Sequence, residues 1–372
     1  MEKIKQGYKQ TDIGVIPEDW EVKPIGKTLK IKHGKDQKKV LSNDGKYPIL
    51  GTGGLMGYAT NFLYSQESVL IGRKGTINKP MFMDKPFWTV DTLFYSEIKK
   101  GYLPKFIYYK FQMIDWYAYN EASGVPSLNA KTIEKIDIST PNNITEQTAI
   151  ATALSDTDAL IAALDKKIAK KQQIKQGAMQ QLLTGKKRLP GFSGEWVEKK
   201  LSQVALNIKT GKRNGEDNDL NGKYPFFVRS KNILRLNSYS FDGEAILIPG
   251  EGGIGTIFHY IYGKFDYHQR VYKISNFIDE SDGRFIFYYL KYFFGSYALQ
   301  NSVKATVDSL RLATFEEFMM IISNTKTEQT AIAQILTDMD HEIAQLEKER
   351  DKYKGLKAGM MQVLLTGKVR LE

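Results

Sequence analysis

The chain has 372 residues, more than one ordinary hydrophobic core serves, so two domains are expected. Its 42% hydrophobic and 26% charged residues, with 21 Tyr and 19 Phe, exclude a mainly disordered chain and suit sheet-bearing domains. Cysteine is absent, which excludes disulfides, thiolate zinc sites and Cys nucleophiles, and a formal net charge of +11 favours a polyanionic partner or an anionic membrane surface over an acidic small molecule.

The first residues, MEKIK, lack the apolar stretch of a secretory signal, and no window reaches about 18 uninterrupted apolar residues, so the chain reads as cytoplasmic. Residues 1–144 form a first domain of short strands with Gly and Asn turns. Residues 68–77 predict strand, tight turn, strand. Residues 106–119 predict an aromatic-rich core helix, whose Tyr and Phe fit packing better than stacking on exposed bases. This domain sets 21 Lys and Arg against 15 Asp and Glu, with a basic cluster at Lys30, Lys32, Lys35, Lys38 and Lys39, then Arg73, Lys74 and Lys79.

Residues 145–189 open with TEQTAIA at Thr145 and reach LLTGK, ending at Lys186, without a proline. Ile150, Leu154, Ile161, Leu164, Ile168, Ala178 and Leu182 recur at helical spacing and predict one seam of a long helix. TEQ resembles a capped start, and Gly185 sits where a left-handed C-terminal residue is wanted.

Residues 190–326 form a second domain, with strand, turn, strand predicted over 244–257 and an aromatic helix over 285–299. It sets 17 Lys and Arg against 15 Asp and Glu, clustered at Lys212, Arg213, Arg229, Lys231 and Arg235, with Arg270 and Arg311 beyond. Residues 327–372 then return to TEQTAIA at Thr327, a seam of Ile332, Leu336, Met339, Ile343, Leu346, Met360 and Leu364, and LLTGK with Gly367. Lys171, Lys175, Arg350 and Lys357 interrupt the two seams, which predicts a place where a helix pair splays or accepts a third partner.

The two helical stretches align at a constant offset of 182 residues. The domains before them match loosely: Trp20 with Trp196, GKYP at Gly45 with GKYP at Gly222, GTI at Gly75 with GTI at Gly255, and Ser127-Leu128 with Ser309-Leu310. Two halves sharing one task would have drifted alike. The unequal divergence implies that the helices share one structural job while the domains contact different things. Two such seams predict an antiparallel intramolecular coiled coil, long enough at ~57 Å to hold two readers more than one DNA turn apart. Basic clusters on both domains can neutralise phosphates. The first domain has only Arg73, whereas the second has six arginines, so a first DNA half-site is expected to make fewer arginine–guanine contacts and to lean on Lys, Asn, Gln and shape.

Catalytic constellations are missing. Gly250, Gly252 and Gly255 spell G-x-G-x-x-G, but Pro249 interrupts the approach and a strand-like TIFHYIY follows where a nucleotide loop needs a helix, so a turn is the better reading. There is no Walker sequence, G-x-S-x-G elbow or NPPY loop, and His33, His259, His268 and His341 are scattered.

A variable domain followed by a long helix ending in LLTGK, written twice, resembles the specificity subunit family of type I restriction–modification. The likeness spans essentially the whole chain and rests on TEQTAIA, LLTGK, the approaches to Trp20 and Trp196, and VLIGRKGTI from Val69. It implies an α+β chain of two α/β target recognition domains, 1–144 and 190–326, each followed by a helical spacer, 145–189 and 327–372, with the spacers packed as an antiparallel coiled coil. Each domain would read half of a split double-stranded DNA site. Two modification subunits carrying S-adenosylmethionine would dock and methylate adenine, and restriction subunits using ATP and magnesium would complete the assembly. No cofactor, metal, catalytic residue or membrane partner is expected in this chain. The closing KVRLE stops where the first repeat continues into PGF, and residues 14–20 pick up at that point, so a circular arrangement with pseudo-two-fold symmetry is expected.

The residues expected at DNA are Lys32, Lys35, Arg73, Lys74, Lys79, Lys212, Arg213, Arg229, Lys231, Arg235, Arg270 and Arg311. Those expected between helices and subunits are Ile150, Leu154, Ile161, Leu164, Ile168, Ile332, Leu336, Ile343 and Leu346. Two other functions remain open on the residues alone: a coiled-coil scaffold whose heads bind proteins, and an enzyme using the Gly250 loop.

Overall fold

The computed structural model describes residues 4–303 and 308–371; residues 1–3 and 372, which the reading of the termini touches, lie outside the described residues. The chain divides into two compact units, Met1–Leu164 with Glu349–Glu372, and Asp165–Lys348.

In the first unit the run Ser68–Gly72 is buried at every residue, as an unbroken apolar strand must be when both sheet faces are covered. It lies between Leu93–Ile98 and Met81–Met83, with Leu29–Lys32 beyond, all antiparallel. A smaller sheet centres on Tyr47–Gly51, antiparallel to Gly54–Ala59 and parallel to Trp88–Thr89. Trp20–Pro24 pairs with Asp137–Pro141, and Trp20 is fully buried.

The second unit joins the corresponding strands into one sheet, in the order Ala205–Thr210, Val271–Phe277, Phe241–Pro249, His259–Tyr267, Tyr224–Phe227, Ile233–Leu236. Again one pair is parallel, Tyr224–Phe227 on His259–Tyr267. Trp196–Lys200 pairs with Met319–Ser323 in the register of its counterpart, Trp196 opposite Ser323 as Trp20 is opposite Pro141. The loose sequence matches therefore mark one topology folded twice.

Some local expectations change. Residues 73–77 and 250–257 are not returning strands of hairpins; the next strands are Met81–Met83 and His259–Tyr267. Gly75 and Gly255, at φ of 88° and 72°, turn the chain out of the extended region and leave these segments as loops. The aromatic segments are not single helices either. Pro104–Gln112 is followed by a separate 3-10 turn, Trp116–Tyr119, and Gly283–Tyr289 runs through a π-helical turn, Leu290–Phe294, into Gly295–Gln300. Their rings are core: Phe106, Tyr109, Phe285 and Phe294 are buried.

Ile144–Leu182 and Lys326–Leu364 are helices of 39 residues each, followed by Gly185 and Gly367 at φ of 67° and 72°. Each unit holds the start of one helix and the end of the other. Within each unit the two pieces run antiparallel. In the first, Asp158 meets Lys357 and Thr157 meets Met360; in the second, Lys171 meets Glu342 and Lys175 meets Asp340. Lys171, Lys175 and Lys357 thus pair across the helices, whereas Arg350 pairs with its neighbour Asp351.

One part of the interface expectation needs correction. Ile150 and Leu154 lie in the core of the first head, with Leu364 and Leu365, while Ile332 and Leu336 lie in the core of the second, with Leu182 and Leu183. A helix start that follows directly on a strand packs on its own domain, so these four are unavailable to another subunit. Leu164, Ile168, Ile343 and Leu346 are also buried, and Ile161 is half-buried.

Candidate nucleic-acid interface

The helix starts carry joints that hold each head. The first helix is capped by Asn143, whose Oδ1 accepts from Thr145 N at 2.8 Å, and not by the threonine of TEQ; ahead of the second, Ser323 Oγ accepts from Thr325 N at 3.3 Å in the turn that enters the helix. That leaves the Glu and Gln of TEQ to face inward. Gln147 accepts from Leu103 N at 2.9 Å and donates to Pro141 O at 3.1 Å; Gln329 accepts from Asp282 N at 2.9 Å and donates to Ser323 O at 2.7 Å. Glu146 accepts from Arg370 Nε at 2.5 Å, and Glu328 from Arg188 Nε at 2.6 Å. Further along, Tyr109 donates to Asp158 at 2.8 Å and Tyr288 to Asp340 at 2.9 Å, while Lys357 and Lys175 lie 5.4 Å and 5.2 Å over those rings. Burial pushes both tyrosines above their ordinary range, so they remain protonated donors.

On each head corresponding loops are tied together beside an open concavity; four loops line the second, while three line the first, the Arg73 loop standing beside it. In the first, Lys35 N donates to Thr89 O, Val90 N to Leu50 O, and Arg73 N to Thr92 O, and Leu128 N reaches Arg73 O, at 2.8 to 3.0 Å. In the second, Gly211 N donates to His268 O, His268 N to Phe227 O, Gly250 N to Arg270 O, and Leu310 N to Gly250 O, at 2.7 to 3.3 Å. The first concavity, about 510 Å³, is lined by Gln37, Thr52, Leu55, Met56, Asp91 and Thr92 among others. The second, about 730 Å³, is lined by Asn214, Arg229, Glu251, His268, Gln269 and Arg270 among others.

The second concavity is a charged network. Arg229 Nη1 donates to Glu251 Oε1 at 2.7 Å, and Arg270 Nε stands 3.7 Å from the same oxygen; the two arginine side chains are 50% and 61% exposed, Glu251 only 18%. His268 Nδ1 accepts from Arg270 N at 2.9 Å, which puts a neutral ring's proton on Nε2. Burial, then Arg229, holds His268 below its ordinary pKa, so it adds no third cation at neutral pH. The lining sets Arg229 and Arg270 against Glu216 and Glu251, so the site is charge-balanced and rich in hydrogen-bonding groups, suited to the acceptor edge of a base.

The expected DNA residues fall into groups. Arg229 and Arg270 come together, and Lys35, Arg73 and Lys74 stand on loops around the first concavity, with Arg73 Nη1 donating to Asp91 O at 3.3 Å. Lys212 and Lys231 are exposed and close in sequence to Arg213 and to the second concavity's Arg229, and Arg213, outside that lining, pairs with Asp266 at 3.5 Å. Lys79 and Arg311 are exposed but lie outside the concavity linings. Lys32 and Arg235 are engaged within the fold: Lys32 pairs with Glu97 at 3.3 Å, and Arg235 Nε donates to Gly222 O at 2.6 Å.

Gln37, Thr52 and Met56 in the first lining, and Asn214, Glu251 and Gln269 in the second, carry no cation and fall outside the expected set. A signal for Thr52 existed: counted from the shared GKYP, it stands four residues past the proline, as Arg229 does.

Among the described residues no group of three or more His, Cys, Asp or Glu stands where it could hold a metal ion, and no helix is long and apolar enough to cross a membrane. The Gly250 loop leads into the strand His259–Tyr267, without the helix a nucleotide phosphate would need.

The sequence matches the type I restriction modification DNA specificity domain over residues 17–176 and again over 193–353. The MjaVIII specificity subunit of a type I restriction enzyme from Methanocaldococcus jannaschii is 26% identical over 99% of this chain and 98% of its own length. The EcoDI specificity subunit of Escherichia coli is 25% identical over 48% of this chain and 39% of its own. In fold, the chain is similar to the crystal structure of a type I restriction-modification S subunit from M. genitalium, with a TM-score of 0.73 over 97% of both chains at 17% identity. A second solved chain, from a study of complex assembly in the type I R-M system, gives 0.51 over 95% of this chain and 99% of its own at 12% identity. The chain belongs to the type I restriction modification DNA specificity family, and is a non-catalytic specificity subunit carrying two copies of the family's domain.

Proposed function

We propose that the chain binds double-stranded DNA as the specificity subunit of a type I restriction–modification complex, each head reading one part of a split site. The observation that supports this most is a concavity set among corresponding loops on each head and lined differently. Two unlike half-sites call for one scaffold with two chemistries. Residues 1–144 and 190–326 are the readers in this account. Residues 145–189 and 327–372 are the spacer that sets the gap, an antiparallel coiled coil in a pseudo-two-fold circular arrangement. The matched joints support that arrangement, since Arg370 bonds Glu146 as Arg188 bonds Glu328. Such symmetry would offer equal docking surfaces to two identical modification subunits. S-adenosylmethionine would sit in those subunits, and ATP and magnesium in the restriction subunits, with none bound by this chain. The setting is the cytoplasm.

Footprinting the chain together with its modification subunits on selected duplexes tests the reading. Protection of two short stretches separated by a fixed gap is expected. Protection of one unbroken stretch, or none, returns the heads to protein binding.

A further inference from the structure

The two concavities differ in a way that assigns bases, an inference that rests on the DNA-reading function proposed above. In the second, Glu251 accepts a hydrogen bond from Arg229 and stands in ion-pair range of Arg270 at 3.7 Å, and the His268 ring accepts from the Arg270 backbone N–H. Side chains that long are otherwise disordered by rotamer entropy; anchored at one edge, each directs its remaining donors outward at little further entropic cost. A planar fork of donors held in this way matches the O6 and N7 acceptors of guanine in the major groove, which a cytosine, adenine or thymine edge does not present as a pair. A phosphate-binding arginine would need no such anchoring, and a carboxylate 18% exposed in the site would repel the phosphate.

No arginine is among the residues that line the first concavity; Arg73, beside it, gives its Nη1 to the Asp91 carbonyl. Where Arg229 stands in the second head, Thr52 stands in the first, and where Asn214 stands, Gln37 stands. The hairpin beside them presents Leu55 and Met56, 58% and 57% exposed. Gln meets the N6 and N7 positions of adenine, and exposed apolar side chains meet the thymine methyl. We propose that Arg229 and Arg270, held by Glu251, read guanine in one half-site, and that Gln37 with Leu55 and Met56 reads an A·T pair in the other.

The test is selection from duplexes with a randomised target, using the full chain with its modification subunits, as wild type and as Arg229→Gln, Arg270→Lys and Gln37→Ala. The wild type should select guanine in one half and an A·T pair in the other. Arg229→Gln and Arg270→Lys should each relax that guanine preference by about 10- to 100-fold and leave the other half intact. Arg270→Lys keeps the charge and removes the fork, so it should cost more in selectivity than in binding to unrelated duplex. Gln37→Ala should relax only the A·T pair. If both arginine variants keep the guanine and weaken binding to every sequence alike, the arginines hold phosphates and the assignment is wrong. If Gln37→Ala relaxes the guanine, the assignment of heads to halves is wrong. A wild type that selects no two-part site would instead remove the proposed function itself.

Discussion

Lys110 is the least expected residue of the first head. Its Nζ is buried and donates to Ser139 Oγ at 3.1 Å and to Leu365 O, at the end of the second long helix, at 2.9 Å. Burial pushes its pKa down to about 7. An unfolded lysine titrates near 10.4, so between these values the unfolded chain binds more protons and stability rises with pH; below about 7 the penalty of the buried charge is fully present. The first head should therefore gain about 2 kcal/mol between pH 7 and 9 from this group, a gain that Lys110→Met removes, read from urea midpoints at the two pH values. A variant with the wild-type slope would contradict the burial argument. Glu146 makes a second contrast. It accepts from the fully buried Trp20 Nε1 at 3.1 Å, whereas Trp196 Nε1 has no partner. Glu146→Ala should thus cost about 1–2 kcal/mol more than Glu328→Ala, because only the former orphans a buried indole. Equal losses in thermal or urea unfolding would show that the indole bond contributes nothing.

At the scale of elements, the joints explain why the helical repeat stayed alike while the heads diverged. Tyr109, Asp158 and Lys357 tie a head helix to both long helices, and Tyr288, Asp340 and Lys175 do the same in the other unit. Lys175 is 7% exposed, and burial lowers its pKa while the Asp340 bond opposes that shift. Removing Asp340 leaves that cation buried without its partner, so Asp340→Ala should destabilise the second unit by about 3 kcal/mol in urea unfolding. A loss below about 0.5 kcal/mol would mean that the network is surface decoration. The long helices were legible because periodicity and the exact repeat speak through local spacing. The role of Glu and Gln in TEQ was not, since their partners, Leu103, Arg370 and Asp282 among them, lie far along the chain.

For the whole molecule, the duplicated order of domains followed from matched words such as GKYP and GTI, while sheet order and the parallel pairs did not. Strand partners are set by contacts between Tyr47–Gly51 and Trp88–Thr89, or Tyr224–Phe227 and His259–Tyr267, that leave no mark in either segment alone. Of the second concavity's lining, Arg229 and Arg270 were legible as cations, whereas Glu251, which pairs with Arg229, was not. The proposed function requires two unlike heads to read DNA across a fixed gap. Mapping methylated adenines in DNA exposed to the reconstituted methyltransferase tests it most directly. The account predicts one asymmetric motif in two parts, with a gap of constant length; a single contiguous motif, or two identical halves, would contradict it.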